Sequence, residues 1–241
     1  CPPAPDPAKG TPMPRLTRTP WPDLGPPDLP PPLTLAEMRG RLARLRAAMA
    51  ARDLSVLVVY ADREHSANMQ WATGFEPRFE EAVLVLTATA ATLLVGNECL
   101  PYTRISPLVV AGDVGVVLVP SLSLLSQPRG GRRIADALAD AVPAGAVVGA
   151  AGWKYFGADE VDDPASALDL PAFLADPLRA IAGRVENATD LFMHPGHGLR
   201  ARVDAAEIAR MEFSNAMAAR ALRRLVTALR EGASDFAVFE A

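Results

Sequence analysis

The chain has 241 residues, is 50% hydrophobic and carries a formal net charge of −4 with a pI near 5.5. That length and apolar content can bury a substantial core in one or two domains, and the acidic balance argues against a nucleic-acid binder, which would show a basic excess. Two cysteines, Cys1 and Cys99, do not make a disulfide framework, and the longest apolar stretch, residues 82–96, falls short of the roughly 18 residues a membrane span needs. The expectation is a cytoplasmic protein that does not enter a membrane.

Residues 1–33 hold 13 of the 23 prolines. Such a segment cannot form helix or sheet and is expected to be an extended, flexible arm. Cys1 opens the chain, and Met13 would be a natural start. Folding proper is expected to begin at Thr34, because Thr34-Leu35-Ala36-Glu37 is a capping box. Leu35, Met38, Leu42, Leu45 and Met49 then recur at spacings of three and four, one apolar stripe with Arg39, Arg41, Arg44 and Arg46 mostly off it.

Strands are predicted at 55–60, 82–87, 91–95, 107–111, 114–119 and 146–150. A helix over 131–142 (Ile134, Leu138 and Val142 at i, i+4, i+8) lies between the last two. This alternation implies an α/β class with a central sheet flanked by helices. Asp113-Val114-Gly115 reads as a hairpin turn. Short helices are predicted at 171–176 and 178–184, and a long one from Asp204, where Asp204-x-x-Glu207 is an N-terminal cap signal, to Gly232.

The stretch with the most functional content is Val56 to Leu86. An apolar run, Ser55 to Tyr60, stops at the charged turn Asp62-Arg63-Glu64-His65. A short helical segment follows, with Gly74 placed to end it in a left-handed conformation, and a second apolar run starts at Ala82. This arrangement presents a polar loop at a sheet end, where ligand sites often lie.

Asn68 followed by Trp71-Ala72-Thr73-Gly74-Phe75, the later Gly96-Asn97-Glu98 and the C-terminal Glu207-Ile208 pair resemble the N-terminal domain of the creatinase, Xaa-Pro aminopeptidase and prolidase family, over roughly residues 35–241. The resemblance implies three segments: the Pro-rich arm over 1–33, a creatinase/aminopeptidase P N-terminal-like domain over 34–200, and the opening helices of a pita-bread catalytic domain over 201–241. It implies a parent protein that is a metallopeptidase acting next to proline. Two divalent metal ions (Mn, Co or Zn) would be held in the catalytic half by two aspartates, a histidine and two glutamates. After Asp204 only 37 residues remain; their acids are Glu207, Glu212, Glu231, Asp235 and Glu240, with no histidine. The expectation is therefore that this chain carries neither catalytic nor metal-binding residues and is inactive alone.

In the family the N-terminal domain mediates oligomer contacts and lends residues to a neighbouring subunit's active-site mouth. The resemblance therefore implies a homo-oligomer, a dimer first, and a proline-containing peptide as substrate. In the creatinase branch those residues follow the Gly-aromatic pair, here in Glu76-Pro77-Arg78-Phe79-Glu80. Arg78 could hold a substrate carboxylate by a two-pronged contact, with Phe79 as a wall; His65 and Arg63 are further candidates. The bland alternative is that Arg63, Arg78, Glu80 and Glu81 form surface ion pairs of little worth. Two other parents stay open: a creatinase-type enzyme hydrolysing a carbon–nitrogen bond without metal, and a non-catalytic binding module with the same fold.

Other chemistries find little support. His194-Pro195-Gly196-His197 places two imidazoles at i, i+3 without a cysteine or further partner at zinc-ligand spacing, and the acidic run 159–164 lacks the offsets of a calcium loop. Asp113-Val114-Gly115 has Leu124 where a second family aspartate would fall. There is no Gly-x-Ser-x-Gly elbow, and Arg129-Gly130-Gly131-Arg132 lacks the lysine and spacing of a phosphate loop.

Overall fold

The computed structural model describes residues 27–240 together with 17, 18, 20 and 25. Cys1, Met13 and most of the predicted Pro-rich arm lie outside the described residues. The chain divides into two compact units: residues 31–205, and residues 206–241 with 1–30.

In the larger unit the elements run α1 (Leu35–Ala50), β1 (Val56–Ala61), α2 (Ala67–Thr73), β2 (Ala82–Thr87), β3 (Ala91–Val95), α3 (Cys99–Tyr102), α4 (Pro107–Val110), β4 (Gly115–Leu118), α5 (Ile134–Ala141), β5 (Val147–Ala151), α6 (Ala172–Ile181), β6 (Arg184–Asn187) and α7 (Asp190–Met193). The strands form one six-stranded sheet in the order β4-β3-β2-β1-β5-β6. β2 pairs antiparallel with both β1 and β3, whereas β3–β4, β1–β5 and β5–β6 are parallel. All strands but β2 therefore point the same way, giving the mixed sheet flanked by helices that the alternating pattern implies.

The two-residue period of a strand assigns alternate side chains to two cores. Leu57, Val59 and Ala61 of β1, with Leu84 and Leu86 of β2, pack under α1 and α2 with Met38, Leu42, Leu45, Met49, Trp71 and Phe75. Val56, Val58 and Tyr60, with Val83 and Val85, face the opposite layer with Leu138, Leu174 and Leu178 of α5 and α6. Strands buried on both sides read as continuous apolar runs, which is why they were legible. Each fully buried large side chain contributes on the order of 1.5–3 kcal/mol.

The α1 cap forms as its sequence dictates, with the Glu37 amide donating to Thr34 Oγ1 at 3.2 Å. The Glu37 carboxylate, though, pairs with Arg41 at 2.6 Å. Arg41 is 5% exposed and donates to the Trp71 carbonyl at 3.2 Å, so it belongs to the buried side of α1 and not to a solvated arginine face.

Three readings are corrected. Residues 107–110 are a helix and not a strand: Pro107 fits the first helical position, and Ser106 Oγ accepts from the Val109 amide. Residues 113–115 accordingly lead from a helix into a strand parallel to β3, so the hairpin turn does not exist. The two short helices after 170 are one helix, α6, running through Pro177, and it ends before residue 184, where the unpredicted strand β6 begins. The carbonyl that Pro177 cannot bond is that of Phe173, itself 42% exposed, where water can satisfy it.

In the smaller unit, α8 (Ala205–Ala228) and α9 (Asp235–Phe239) carry no buried residue. Ser234 caps α9 by accepting from the Ala237 amide at 3.1 Å, after the left-handed Gly232 that the sequence marks as a helix stop. No described helix is long and apolar enough to cross a membrane.

Candidate functional site

The sheet register aligns Ala61, Ala82, Val95 and Leu118 in one row, with Ala151 and Asn187 beside it. Loops 62–66, 76–81, 96–98, 119–128 and 152–171 consequently all leave the same end of the sheet, at the C-terminal ends of its parallel strands. This is the end at which open α/β sheets place ligands.

The loop after β1 is a hydrogen-bonded turn. Asp62 Oδ1 accepts from the amides of Glu64 and His65, both at 2.8 Å, and Asp62 Oδ2 lies 3.0 Å from His65 Nδ1. A carboxylate can only accept, so Nδ1 carries the proton, and Nε2 is the ring nitrogen Asp62 leaves unengaged. Partial burial opposes the charge on Asp62, but the bonds from the His65 ring and from the two amides outweigh it and hold this carboxyl below the ordinary range. The His65 ring stacks on Trp153, centroids 4.7 Å apart and planes at 22°, and Lys154 Nζ lies 5.0 Å from the centre of the same Trp153 ring.

The second loop is a tight turn closed by the Glu80 amide on the Pro77 carbonyl at 3.0 Å. Arg78, at its first central position, has φ of +53°, a conformation usually left to glycine. Its guanidinium sits over the rings of Tyr102 at 5.7 Å and Phe79 at 5.9 Å. Next along the chain, Glu81 accepts from the Tyr60 hydroxyl at 2.7 Å; burial and this carboxylate together raise the Tyr60 pKa.

These loops meet across a groove of about 300 Å³ lined by Asp62, Arg63, His65, Phe79, Glu81 and Leu124, among others. A second hollow of about 330 Å³ shares Asp62 and His65 and is completed by Tyr60, Trp153, Asp169 and Pro171. Of the predicted site residues, Arg63, His65 and Phe79 line the first groove together. Arg78 is their neighbour in the turn and is directed onto Tyr102, outside the groove lining. Glu80 is 2% exposed and Glu81 bonds Tyr60, so neither is a surface ion-pair partner.

Trp153, Asp169 and Leu124 escaped the sequence reading. The readable signal was Trp153-Lys154-Tyr155 directly after a buried strand, an aromatic cluster at a strand's C-terminal end. The family-signature residue Asn68, 4% exposed, is a brace for this end of the sheet. Its Nδ2 donates to the Gly152 carbonyl at 2.8 Å, and its Oδ1 accepts from Arg200 at 2.7 Å. Gly152 must lack a side chain, since a Cβ there would lie 2.0 Å from the Asp169 carbonyl oxygen. Asp169 Oδ2 in turn accepts from the amides of Trp153 and Lys154.

Among the described residues no three His, Cys, Asp or Glu side chains come together as a metal site. His194 and His197 stack face to face at 3.7 Å, and His194 Nδ1 accepts from the Gly196 amide. Parallel rings do not converge their nitrogen lone pairs on one ion. The described residues therefore do not fit a two-metal centre.

No curated protein matches the chain. Among solved structures, the fold is similar to dipeptidase PepE from Mycobacterium ulcerans (21% identity, TM-score 0.52), the prolidase from Pyrococcus horikoshii OT3 (14%, 0.56) and the Xaa-Pro dipeptidase from Bacillus anthracis (12%, 0.54). The matches cover 84%, 83% and 83% of this chain but only 47%, 46% and 46% of those chains, so this chain spans a little under half their length. At these identities the likeness is one of fold. Residues 41–153 match the Creatinase/Prolidase N-terminal domain family, a span that takes in β1, the Asn68-to-Phe75 signature, the turn bearing Arg78 and the strand ending at Ala151; over this span the chain carries the resemblance to that family that its sequence announces.

Proposed function

We propose that this chain is the N-terminal, cleft-shaping and oligomerising part of a metal-dependent Xaa-Pro aminopeptidase- or dipeptidase-like hydrolase. The observation that carries the reading is the convergence of the 62–66 loop and the 77–80 turn on one groove, inside a creatinase/prolidase N-terminal domain. The similar structures are a dipeptidase, a prolidase and an Xaa-Pro dipeptidase, each about twice as long as the matched part.

In this reading the groove forms one wall of an active-site mouth completed by a neighbouring subunit. His65 Nε2 and Arg63 supply hydrogen bonds to a proline-containing peptide, Phe79 a wall for its ring, and Arg78 a two-pronged contact to a carboxylate. To reach it, Arg78 leaves its stacking position on Tyr102. The two divalent metal ions (Mn, Co or Zn) and their ligands belong to a catalytic domain outside residues 1–241, so this chain alone is inactive. Exposed apolar side chains on α8, among them Ile208, Met211, Leu222 and Val226, support burial against further polypeptide or a second copy. A reducing, cytoplasmic setting suits a protein whose one described cysteine, Cys99, is a buried free thiol.

The test is direct. Purified chain with manganese and an Xaa-Pro dipeptide is expected to give no hydrolysis above buffer; turnover abolished by a chelator would overturn the assignment of the chemistry to another domain. Sedimentation of the same sample is expected to give a dimer, and a monomer at high concentration would remove the oligomerising role.

A further inference from the structure

We infer that Glu80 is a positioning residue: together with Cys99 it locks the turn that carries Arg78 and Phe79 onto loop 96–99, and so fixes the wall of the groove. The inference rests on the proposed function for the meaning of that wall, while the lock itself stands on geometry alone.

Glu80 is an acidic side chain with 2% exposure. Its carboxylate accepts from the Glu98 amide at 3.2 Å and from the Cys99 amide at 2.8 Å. Bonds to an ionised acceptor are stronger than neutral ones, and a buried carboxylate deprived of them is costly. Gly96 makes the approach possible, because a Cβ there would lie 2.6 Å from Glu80 Oε2. A second fastening comes from the opposite direction: Cys99 Sγ donates to the Pro77 carbonyl at 3.0 Å.

Pro77 and Glu80 are the two ends of the turn, and they also bond each other through the Glu80 amide. Only Arg78 and Phe79 lie between the fastened points. Those two residues are exposed, Phe79 by 49%, and Arg78 holds φ of +53°. Backbone of that kind persists only where its surroundings over-determine it, and here both ends of the turn are pinned by the same loop. The buried carboxylate thus sits directly beside an exposed pair, of which Arg78 is strained and Phe79 lines the groove. Burial, followed by the adjacent Glu80 carboxylate, also pushes the Cys99 thiol up to about 12, so Cys99 keeps the proton it donates to Pro77.

The experiment uses the whole chain in a Cys1→Ser background, leaving Cys99 as the one thiol, with Glu80→Gln and Glu80→Ala. Hydrogen exchange of the amides at 76–81 and 97–100 is expected to rise roughly tenfold in Glu80→Ala, in line with one charge-assisted bond lost from a local opening, while β1 to β3 exchange as in the parent. In Glu80→Gln, which keeps the volume and one acceptor oxygen, the rise is smaller. Thiolate absorbance of Cys99 is nevertheless expected to appear at lower pH, a response that packing alone would not produce.

Unchanged exchange at 76–81 in both variants would overturn the inference. So would an equal rise across the sheet in both, since Glu80 would then be a general core residue. Neither readout involves a peptide. Failure of the lock therefore leaves the assignment of the groove intact, and failure of the groove assignment leaves the lock intact.

Discussion

The backbone at Arg78 makes a prediction with an unusual sign. At ordinary positions alanine stabilises over glycine by about 0.5–1 kcal/mol, because glycine loses more freedom on folding. Arg78 has φ of +53°, where a side chain on Cα costs roughly 1–2 kcal/mol. Replacement by glycine removes that strain and gives back about 0.4–1 kcal/mol through the unfolded chain. Replacement by alanine keeps the strain. Both variants lose the contacts of the guanidinium with Tyr102 and Phe79 at 5.7 and 5.9 Å, worth about 0.5–1 kcal/mol each at an exposed site, so these cancel in the comparison. Arg78→Gly is therefore expected to be more stable than Arg78→Ala by roughly 0.5–1 kcal/mol. Urea unfolding followed by circular dichroism, with equal slopes for the two variants, measures the difference. An alanine variant as stable as the glycine variant would refute the claim that the turn is held under strain.

Other outcomes follow from the braces around the groove. Asn68→Ala removes a buried side chain that bonds both Gly152 and Arg200 and is expected to lower stability by about 2–3 kcal/mol, read by the same unfolding assay. Gly152→Ala drives a Cβ to within 2.0 Å of a backbone oxygen; a loss of about 3 kcal/mol or more is expected in thermal or urea unfolding. Asp62 has a folded pKa below its ordinary value, so its contribution is present above the unfolded carboxyl pKa of about 3.9 and is lost as pH falls through the folded value. Asp62→Asn should therefore be less stable than the parent at pH 6, with the gap closing below about pH 4; an unchanged gap at pH 3 would separate the stability of this loop from the charge on Asp62.

Much of the architecture was legible because its causes are local. The Thr34 hydroxyl meets the Glu37 amide, Gly74 takes φ of +73° to stop α2, and runs such as Val56–Ala61 are apolar throughout because both faces of the sheet are covered. Local signals also misled where two readings competed. Leu108-Val109-Val110 is as apolar as a strand, but Ser106 and Pro107 start a helix there. Arg184-Val185-Glu186-Asn187 is too polar to announce itself, and only pairing with β5 makes it a strand. By its residues alone, then, this protein determined its main elements and its class of fold. The groove is a different matter. His65 meets Trp153, and Asn68 meets Gly152 and Arg200, because the sheet register brings the ends of distant strands level. That alignment is a long-range property of packing, which no local spacing encodes, so the tertiary structure alone decided which polar side chains share a site.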